Sequence, residues 1–302
     1  MRHDILVIIV TYNAMRWAER CFNSLKNSTV KPDAFVVDNG STDGTQEYVE
    51  KAFPNIVFHQ SKKNLGFGMA NNLGLQYALD KGYEYVYLLN QDAWVMPDTF
   101  EQLINISKNN SDYAILSPIQ MNSDLKHIDK DFIKRVCSWN SNPDIFNDLY
   151  NQEVKDVYPV KVVMAAHWFL TRKCIEKVGG FSPSFPHYGE DDNYADRVHY
   201  WDLKLGIVPT LRVVHDRGDR ITTPQMIVHQ CYIDALISLS KPGESSKNKI
   251  KSIIANFKLA IKYKKIQPFR NFCKILNTLR ILENNKAYSL SQSCAFLDNG
   301  NA

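Results

Sequence analysis

The sequence has no closely spaced pair of cysteines. Its six cysteines are scattered along 302 residues, at Cys21, Cys137, Cys174, Cys231, Cys273 and Cys294. Zinc sites and small disulfide-bonded scaffolds both depend on short cysteine spacings. The pattern therefore argues against both classes and predicts reduced, mostly buried thiols.

Long apolar runs and an excess of one charge are also missing. The apolar run at residues 5–10 is too short for the core of a signal peptide. No other stretch approaches the roughly 20 apolar residues of a membrane-spanning helix. The formal net charge is only +4. These absences predict a cytoplasmic protein with no general affinity for nucleic acid.

No glycine occurs in residues 11–15, directly after the first apolar run. Dehydrogenases and methyltransferases that bind a nucleotide on an α/β fold need a glycine-rich loop at that point. Enzymes that synthesise sugar nucleotides need a glycine-rich, basic loop near the N-terminus, and this loop is missing too. The sequence therefore argues against these three classes.

Short β-branched segments alternate with helical patterns up to about Pro118. This alternation is typical of an α/β fold with a mainly parallel central sheet flanked by helices. Strands are predicted at residues 5–10, 35–37, 56–58, 83–89 and 113–116. Between the first two strands, apolar residues recur at three- and four-residue spacing from Met15 to Leu25, which predicts an amphipathic helix.

The second half of the chain is less regular. Residues 121–159 are polar and aromatic, and we interpret them as an excursion from the sheet rather than a separate domain. Further elements are predicted as a strand at 160–164, a helix at 172–178, a helix that starts within 189–197, and two short strands within 206–214. From residue 245 to 286 there are eleven Lys or Arg against one acidic residue, Glu283, which predicts a basic helical appendage.

Polar clusters directly follow three of the predicted strands, at residues 11–13, 38–43 and 90–92. In open parallel sheets, ligands bind at this carboxyl edge. The Asp38 carboxylate is suited to accept the imide proton of a uracil or thymine ring, and the turn after it offers backbone amides. The same stretch also fits an ordinary turn followed by a helix N-cap.

Five sequence blocks occur in a fixed order, at residues 7–13, 37–45, 64–68, 71–72 and 88–92. Together with residues 189–192 and His215, they resemble family 2 glycosyltransferases, above all the rhamnosyltransferase-like branch. The resemblance implies a GT-A fold, with a catalytic domain over residues 1–221 and the basic helical appendage over 222–302. About 1–118 would bind the nucleotide sugar, and about 119–221 would provide the acceptor side and the base.

The resemblance assigns the donor side residue by residue. The expected donor-binding residues are Thr11, Tyr12, Asn13, Asp38, Asn64, Gly66, Asn72, Asn90, Gln91 and Arg217. Arg217 and Arg220 would close over the diphosphate from a loop. Asp92 and His215 match the metal ligands of the family. Mg²⁺ or Mn²⁺ is therefore expected, because a divalent cation offsets the charge on a departing diphosphate.

The metal motif departs from its simplest form in one respect. Asn90 stands where an Asp would add charge, so Asp92 is the single carboxylate of the motif. His215 on its own would be read as a structural histidine. Its position after a strand and in the expected order favours the metal-ligand interpretation.

Transfer to a hydroxyl group requires a carboxylate that removes the hydroxyl proton. Glu190, Asp191 and Asp192 are candidates, and their chemistry does not choose among them, since adjacent helical positions point about 100° apart. All three also fit an acidic helix start. The resemblance selects Asp191 as the base and Glu190 as its catalytic neighbour, and implies inversion at the anomeric carbon.

The resemblance also implies acceptor-side residues, namely His167, Trp168, His187 and Tyr188. Aromatic faces suit sugar rings, although core packing is an equal alternative for Trp168.

The expected function is transfer from a UDP- or dTDP-sugar to a hydroxyl of a saccharide or lipid-linked saccharide, in surface polysaccharide synthesis. The alternative is a non-catalytic nucleotide-sugar or carbohydrate-binding protein of the same fold. The presence of Asp92, Asp191 and His215 favours the enzyme. The basic stripe at 245–286 has two interpretations. It contacts the inner face of the cell membrane peripherally, or it packs on the catalytic domain or on the second subunit of a homodimer.

Overall fold

The computed structural model describes residues 4–136, 143–217, 223–244, 249–251, 253–255, 258 and 266–297. The strands are β1 (Ile5–Thr11), β2 (Asp33–Asp38), β3 (Val57–Gln60), β4 (Tyr85–Asn90), β5 (Ala93–Trp94), β6 (Tyr113–Met121), β7 (Tyr158–Val160), β8 (His167–Thr171) and β9 (Lys204–His215). The helices are α1 (Met15–Lys26), α2 (Thr45–Ala52), α3 (Gly66–Lys81), α4 (Thr99–Asn109), α5 (Lys130–Val136), α6 (Pro143–Asn151), α7 (Arg172–Val178), α8 (Glu190–Tyr200), α9 (Pro224–Ser240) and α10 (Ile266–Ser291).

The strands of the described ranges form one sheet in the order β3-β2-β1-β4-β8-β6-β9-β5, with β7 paired to β9. Strands β1 to β4 are mutually parallel where they pair, and β6 is parallel to β9. β8 is antiparallel to both of its neighbours. The predicted α/β fold with a central sheet flanked by helices is confirmed, with a parallel half and a mixed half.

Helices cover both faces of the parallel half. α1 buries Ala18, Cys21, Phe22 and Leu25, which confirms the predicted amphipathic helix. α3 lies close to β1 on the other face because it carries glycine where the backbones approach. A Cβ at Gly74 would lie 2.7 Å from the side chain of Ile8. With both faces covered, the strands are continuously apolar instead of alternating.

Three predictions for the second half were wrong. The strand predicted at 160–164 is β7, which already ends at Val160. The stretch at 121–159 is more regular than predicted. Residues 121–159 contain α5 and α6, and α5 anchors in the core through the fully buried Phe132 and Val136. The two short strands predicted within 206–214 are one strand, β9. Its pairing with β6 shifts register after Val208, so that the segment around Pro209 bulges while the strand continues.

The C-terminal helices α9 and α10 pack on the loop that precedes α8. Phe185, which precedes α8, lies in an apolar cluster with residues of α9 and α10, among them Ile233, Leu236 and Ile275. The chain then returns to α7, where the Gly180 N–H donates to the Ala295 carbonyl at 2.8 Å. The described parts of the C-terminal region therefore form the support behind the loop that leads into α8.

The described cysteines make no disulfide with one another. Cys21 and Cys174 are buried, whereas Cys231, Cys273 and Cys294 are partly exposed, and Cys137 lies outside the described residues. Fewer of these thiols are buried than the sequence predicts. No helix within the described ranges is both long enough and apolar enough to cross a membrane.

Candidate active site

A cavity of about 340 Å³ opens at the carboxyl ends of β1 and β4. The predicted site residues that line it are Thr11, Tyr12, Asn64, Gly66, Asn90, Gln91, Asp92, His187, Tyr188, Glu190, Asp191, His215 and Arg217. Asn13, Asp38, Asn72, His167 and Trp168 are not among its lining residues. The structure thus brings predicted residues of the donor side and of the acceptor side into one cavity. Five predicted residues lie outside its wall.

Asp38 organises the loop after β2. It is fully buried, and its carboxylate accepts hydrogen bonds from Thr11 Oγ1 at 2.7 Å, from the Ser41 N–H at 2.7 Å and from Gln60 Nε2 at 3.0 Å. Burial raises the pKa of Asp38, but the hydrogen bonds from Ser41, Thr11 and Gln60 outweigh it and leave that pKa below its usual value. The ionised carboxylate therefore holds the loop in place.

Asn13 fastens the loop after β1 to the same turn. Its side-chain oxygen accepts the Thr42 N–H, and its own N–H donates to Ser41 Oγ, both at 2.8 Å. Asn13 adopts a left-handed backbone with φ 51°, a conformation that Asn tolerates better than most residues. It contributes to the cavity by fixing the backbone on which Tyr12 stands.

Asn39 lines the cavity although sequence reasoning did not single it out. Its side chain accepts the Leu65 N–H at 3.1 Å and donates to the Gly66 carbonyl at 3.4 Å. Asn39 therefore joins the loop after β2 to the start of α3. Its place within the 37–45 block was the available signal.

Gly66 is required by backbone geometry. Its φ is +78°, and a Cβ there would overlap the Pro186 carbonyl oxygen, on the loop that leads to α8. Gly44 has a similar φ of +90°, but a Cβ there would meet nothing within 4 Å. These two glycines form a matched pair that separates backbone strain from steric overlap.

We expect Gly66→Ala to destabilise the fold and to impair donor binding, because it forces the start of α3 away from the 181–189 loop. Gly44→Ala carries backbone strain alone, roughly 1–3 kcal/mol. Thermal unfolding and nucleotide titration of both variants would measure the difference. Equal losses of stability and affinity in the two variants would contradict a steric role for Gly66.

Gln91 connects two loops through its side-chain amide. The Tyr12 N–H donates to Gln91 Oε1 at 2.7 Å, and Gln91 Nε2 donates to the Tyr12 carbonyl at 3.2 Å. This pair of bonds fixes Tyr12, whose side chain is about half exposed at the cavity mouth. The neighbouring Asn90 Oδ1 is buried and has no hydrogen-bond partner.

Asp92 and His215 lie side by side because β5 pairs with β9, with Ala93 opposite His215. Asp92 Oδ1 is 3.5 Å from His215 Nε2, and His215 is 1% exposed. Neither ring nitrogen of His215 makes a hydrogen bond. Buried nitrogens without partners, next to a carboxylate, fit a metal-binding role. Within the described ranges no group of three or more His, Cys, Asp or Glu forms a metal site, so a cation would need the phosphates of a ligand as well.

His167 and Trp168 contribute to packing instead of lining the cavity. They lie on β8, which is enclosed between β4 and β6, and both are fully buried. Trp168 stacks on Phe181 and donates its indole N–H to the Val163 carbonyl at 3.1 Å. His167 lies between Tyr87 Oη at 2.8 Å and the Val214 carbonyl at 2.9 Å. Burial lowers the pKa of His167 to about 3, so it is neutral.

Asn72 also acts from outside the cavity. Its side chain accepts the Phe181 N–H at 2.6 Å and donates to the Phe181 carbonyl at 2.9 Å. It makes a further bond of 3.4 Å to the carbonyl of Phe296. Asn72 thus ties α3 to the loop before α8 and to the C-terminal tail.

The start of α8 places three adjacent carboxylates in different surroundings. Asp191 lines the cavity. Burial and the neighbouring Asp191 raise the pKa of Glu190 to about 8, and Glu190 Oε2 has no hydrogen-bond partner. Burial and Asp191 also raise the pKa of Asp192 to about 7, and Asp192 pairs with Arg135 at 2.9 Å. Glu190 is therefore largely protonated near neutral pH.

The raised pKa of Glu190 predicts a pH-dependent stability. Its contribution is present below the pKa of the unfolded chain and is lost as the pH rises through about 8. We expect the melting temperature of the wild type to fall more steeply than that of Glu190→Gln between about pH 5 and about pH 9. Calorimetry at matched ionic strength measures both slopes. Parallel slopes would show that Glu190 is not a source of the dependence.

Arg217 follows β9 and lines the cavity. Its guanidinium pairs with Asp131 at 2.8 Å and with Asp129 at 3.5 Å, both at the start of α5. Movement of Arg217 onto a diphosphate would exchange these partners for phosphate oxygens. Arg220 lies outside the described residues.

The sheet order, the flanking helices and the cavity at the carboxyl edge are those of a glycosyltransferase with a GT-A fold. The chain belongs to glycosyl transferase family 2, whose family model matches residues 6–176.

Individual relatives are similar over most of the chain. The N-acetylglucosaminyl-diphospho-decaprenol L-rhamnosyltransferase of Mycobacterium tuberculosis is 26% identical over 238 residues, which cover 71% of this chain and 77% of the relative. The dTDP-rhamnosyl transferase RfbF of Shigella flexneri is 22% identical over 222 residues, which cover 73% and 71%. These relatives confirm the resemblance to rhamnosyltransferases.

Among solved structures, S. aureus TarS 1-349 in complex with UDP-GlcNAc has the same fold. Its TM-score is 0.58 at 14% identity, and the match covers 96% of this chain and 90% of that chain.

Proposed function

We propose that this chain is an inverting glycosyltransferase that moves a sugar from a UDP- or dTDP-sugar to a hydroxyl of a saccharide or lipid-linked saccharide. The observation that carries the proposal is one cavity with Asp92 and His215 in its wall together with Asp191 and Glu190. Displacement of a nucleoside diphosphate by a hydroxyl group needs positive charge at the diphosphate and a base at the hydroxyl group. Asp92 and His215 would hold a cation for the first task, and Asp191 would perform the second.

On the donor side, the base and ribose would lie against Thr11, Tyr12 and Asn64. Asp38, Asn13 and Asn72 would act indirectly, by holding the loops that carry these residues. Asp92 and His215 would hold Mg²⁺ or Mn²⁺, assisted by the Asn90 side-chain oxygen, and the ion supplies charge compensation for the diphosphate. Arg217 would add a guanidinium to the same phosphates.

On the acceptor side, the hydroxyl oxygen would attack the anomeric carbon opposite the bond to the diphosphate. The new glycosidic bond forms as the bond to the diphosphate oxygen breaks, and the hydroxyl proton passes to the Asp191 carboxylate. A single displacement of this kind inverts the anomeric configuration. Glu190, which is largely protonated, is able to donate a hydrogen bond to the acceptor, and Tyr188 at the cavity rim would contact a sugar ring.

The names of the relatives guide the choice of substrates. One relative is named for dTDP-rhamnosyl transfer, and another for transfer of L-rhamnose to a decaprenol-linked acceptor. We therefore rank dTDP-rhamnose first among the donors and a polyprenyl-diphosphate-linked saccharide first among the acceptors, with synthesis of a surface polysaccharide as the setting.

The decisive experiment is a panel of nucleotide sugars with Mg²⁺ or Mn²⁺, read by thermal shift and by release of nucleoside diphosphate. The enzyme is expected to be stabilised by a uridine or thymidine donor and to release its diphosphate. Stabilisation without release, even with lipid-linked acceptors present, would favour the non-catalytic binding protein. No response to any uridine or thymidine donor would refute both.

A lipid-linked acceptor would bring the basic stripe at 245–286 to an anionic membrane surface. In its described part, α10 exposes Phe269, Leu276 and Ile281 next to Arg270 and Arg280. Exposed apolar side chains interleaved with cations are the composition of interfacial helices. A homodimer through the same surface is the competing proposal.

Vesicle flotation distinguishes these proposals if it uses the full chain, because removal of the C-terminal helices would uncover the cluster around Phe185. Phe269→Ser/Leu276→Ser is expected to reduce binding to anionic vesicles and to leave binding to neutral vesicles low, as in the wild type. Unchanged flotation would refute the membrane contact, and concentration-dependent dissociation in sedimentation would support the dimer.

A further inference from the structure

α5 is fixed between the core and the start of α8. Phe132 and Val136 are fully buried, and Asp129 Oδ1 accepts the N–H groups of Asp131 and Phe132 at 2.8 Å each. These contacts leave the helix little freedom to rotate. Its charged side chains are thus presented to the cavity residues from a defined position.

Arg135 lies on α5 and contacts the acidic turn of α8. Its Nη1 donates to Asp192 Oδ1 at 2.9 Å, with the Arg135 side chain 30% exposed and the Asp192 side chain 19% exposed. Burial lowers the pKa of Arg135, but Asp191 and Asp192 outweigh it and leave the pKa above its usual value. Arg135 therefore remains a cation next to these carboxylates.

Asp191 and Asp192 are adjacent in sequence, yet their positions relative to the cavity differ. Asp191 lines the cavity, and Asp192 is not among its lining residues. Asp191 Oδ1 accepts the Asp192 N–H at 2.9 Å. Asp192 is thus drawn toward α5, whereas Asp191 stays in the cavity wall.

The local charges need compensation. Three carboxylates lie on the first turn of α8, and two of them are largely buried. The other ionisable groups around the turn are His187 and Tyr188 on the preceding loop, Asp92 and His215 at β5 and β9, Arg217 after β9, and Asp131 and Arg135 at α5. Arg217 is paired with Asp129 and Asp131. In the described part of the chain, Arg135 is the cation paired with the acidic turn.

We propose that Arg135 is a positioning residue for the base. It holds Asp192 out of the cavity and supplies a positive charge behind the acidic turn from which Asp191 faces the acceptor. This role rests on the proposed function, because it assigns Arg135 to the acceptor side of the same reaction. Arg135 lies between residues 121 and 159, outside the sequence blocks that resemble the family, so no motif predicts its role.

The test is the pH profile of kcat/KM for Arg135→Met, with Lys134→Met as the matched control. Lys134 is the adjacent cation on α5, and its side chain is 74% exposed. Loss of Arg135 is expected to shift the acid limb of the profile upward by about one unit, which corresponds to a roughly tenfold lower kcat/KM on that limb. The donor KM and the Lys134→Met profile are expected to stay near wild type. Arg135→Lys should retain part of the activity.

Rescue separates positioning from folding. Removing the charge that Arg135 compensates, in Arg135→Met/Asp192→Asn, is expected to return the acid limb toward wild type. A wild-type profile for Arg135→Met would overturn the inference. So would a uniform loss at every pH that the double variant does not restore, because that result indicates a structural role alone. Absence of turnover in both the wild type and Lys134→Met would overturn the proposed function, and this role with it.

Discussion

Asp191→Asn is expected to reduce transfer by about 10²–10⁴-fold while the affinity for the donor nucleotide changes little. The amide preserves the shape of the side chain but cannot take the acceptor proton. Asp191 lines the cavity, whereas Asp192 is paired with Arg135, so Asp191 is the one of these two aspartates that we propose as the base. Initial rates of nucleoside diphosphate release, with and without acceptor, measure the loss.

Glu190→Gln is the matched control for this substitution. Glu190 is the neighbouring cavity residue, and burial together with Asp191 raises its pKa to about 8. Because an amide retains hydrogen-bonding capacity, Glu190→Gln should lose less activity than Asp191→Asn. If Glu190→Gln lost more activity than Asp191→Asn, Glu190 would be the base and Asp191 its neighbour.

Asp92→Ala is expected to abolish metal-dependent turnover, whereas Asn90→Ala should weaken it only partly. Asp92 is the one carboxylate of the 90–92 motif, and His215 lies beside it with two buried nitrogens that make no hydrogen bond. Asn90 would contribute a neutral oxygen, which a cation binds less strongly than a carboxylate. Titrating Mg²⁺ and Mn²⁺ against nucleoside diphosphate release gives the metal dependence of each variant.

A second measurement separates metal binding from catalysis. Thermal stabilisation by nucleoside diphosphate should require Mg²⁺ or Mn²⁺ in the wild type, because the described residues form no group of three metal ligands and phosphates would have to complete the set. Asp92→Ala should lose the metal-dependent part of this stabilisation. Small and equal effects of Asp92→Ala and Asn90→Ala would move the diphosphate site elsewhere.

The loop at 181–189 leads directly to Glu190 and Asp191, so its contacts help to fix the position of both residues. It is held by Asn72 from α3, by the Gly66 contact with Pro186, and by the packing of Phe185 on α9 and α10. The Asn285 side chain of α10 adds a bond of 2.8 Å to Ser184 Oγ. The C-terminal helices thus pack against the loop that leads to Glu190 and Asp191, and we expect their removal to disturb both residues.

The sequence alone was sufficient for the fold class, the family and the location of the cavity. Residues 11–13, 38–43 and 90–92 follow strands, and the carboxyl ends of parallel strands meet at one edge whatever the details of packing. Local periodicity also identified α1, since an amphipathic pattern depends only on nearby residues.

The direction in which each side chain points depended on long-range contacts. Trp168 and His167 became core residues because β8 enters the middle of the sheet, which no local pattern reveals. Arg135 reached Asp192 across 57 positions of the chain, and the C-terminal tail reached Gly180. Motifs predicted which residues gather around the cavity. Only tertiary packing distinguished the residues that line the cavity from those that hold the lining residues in place.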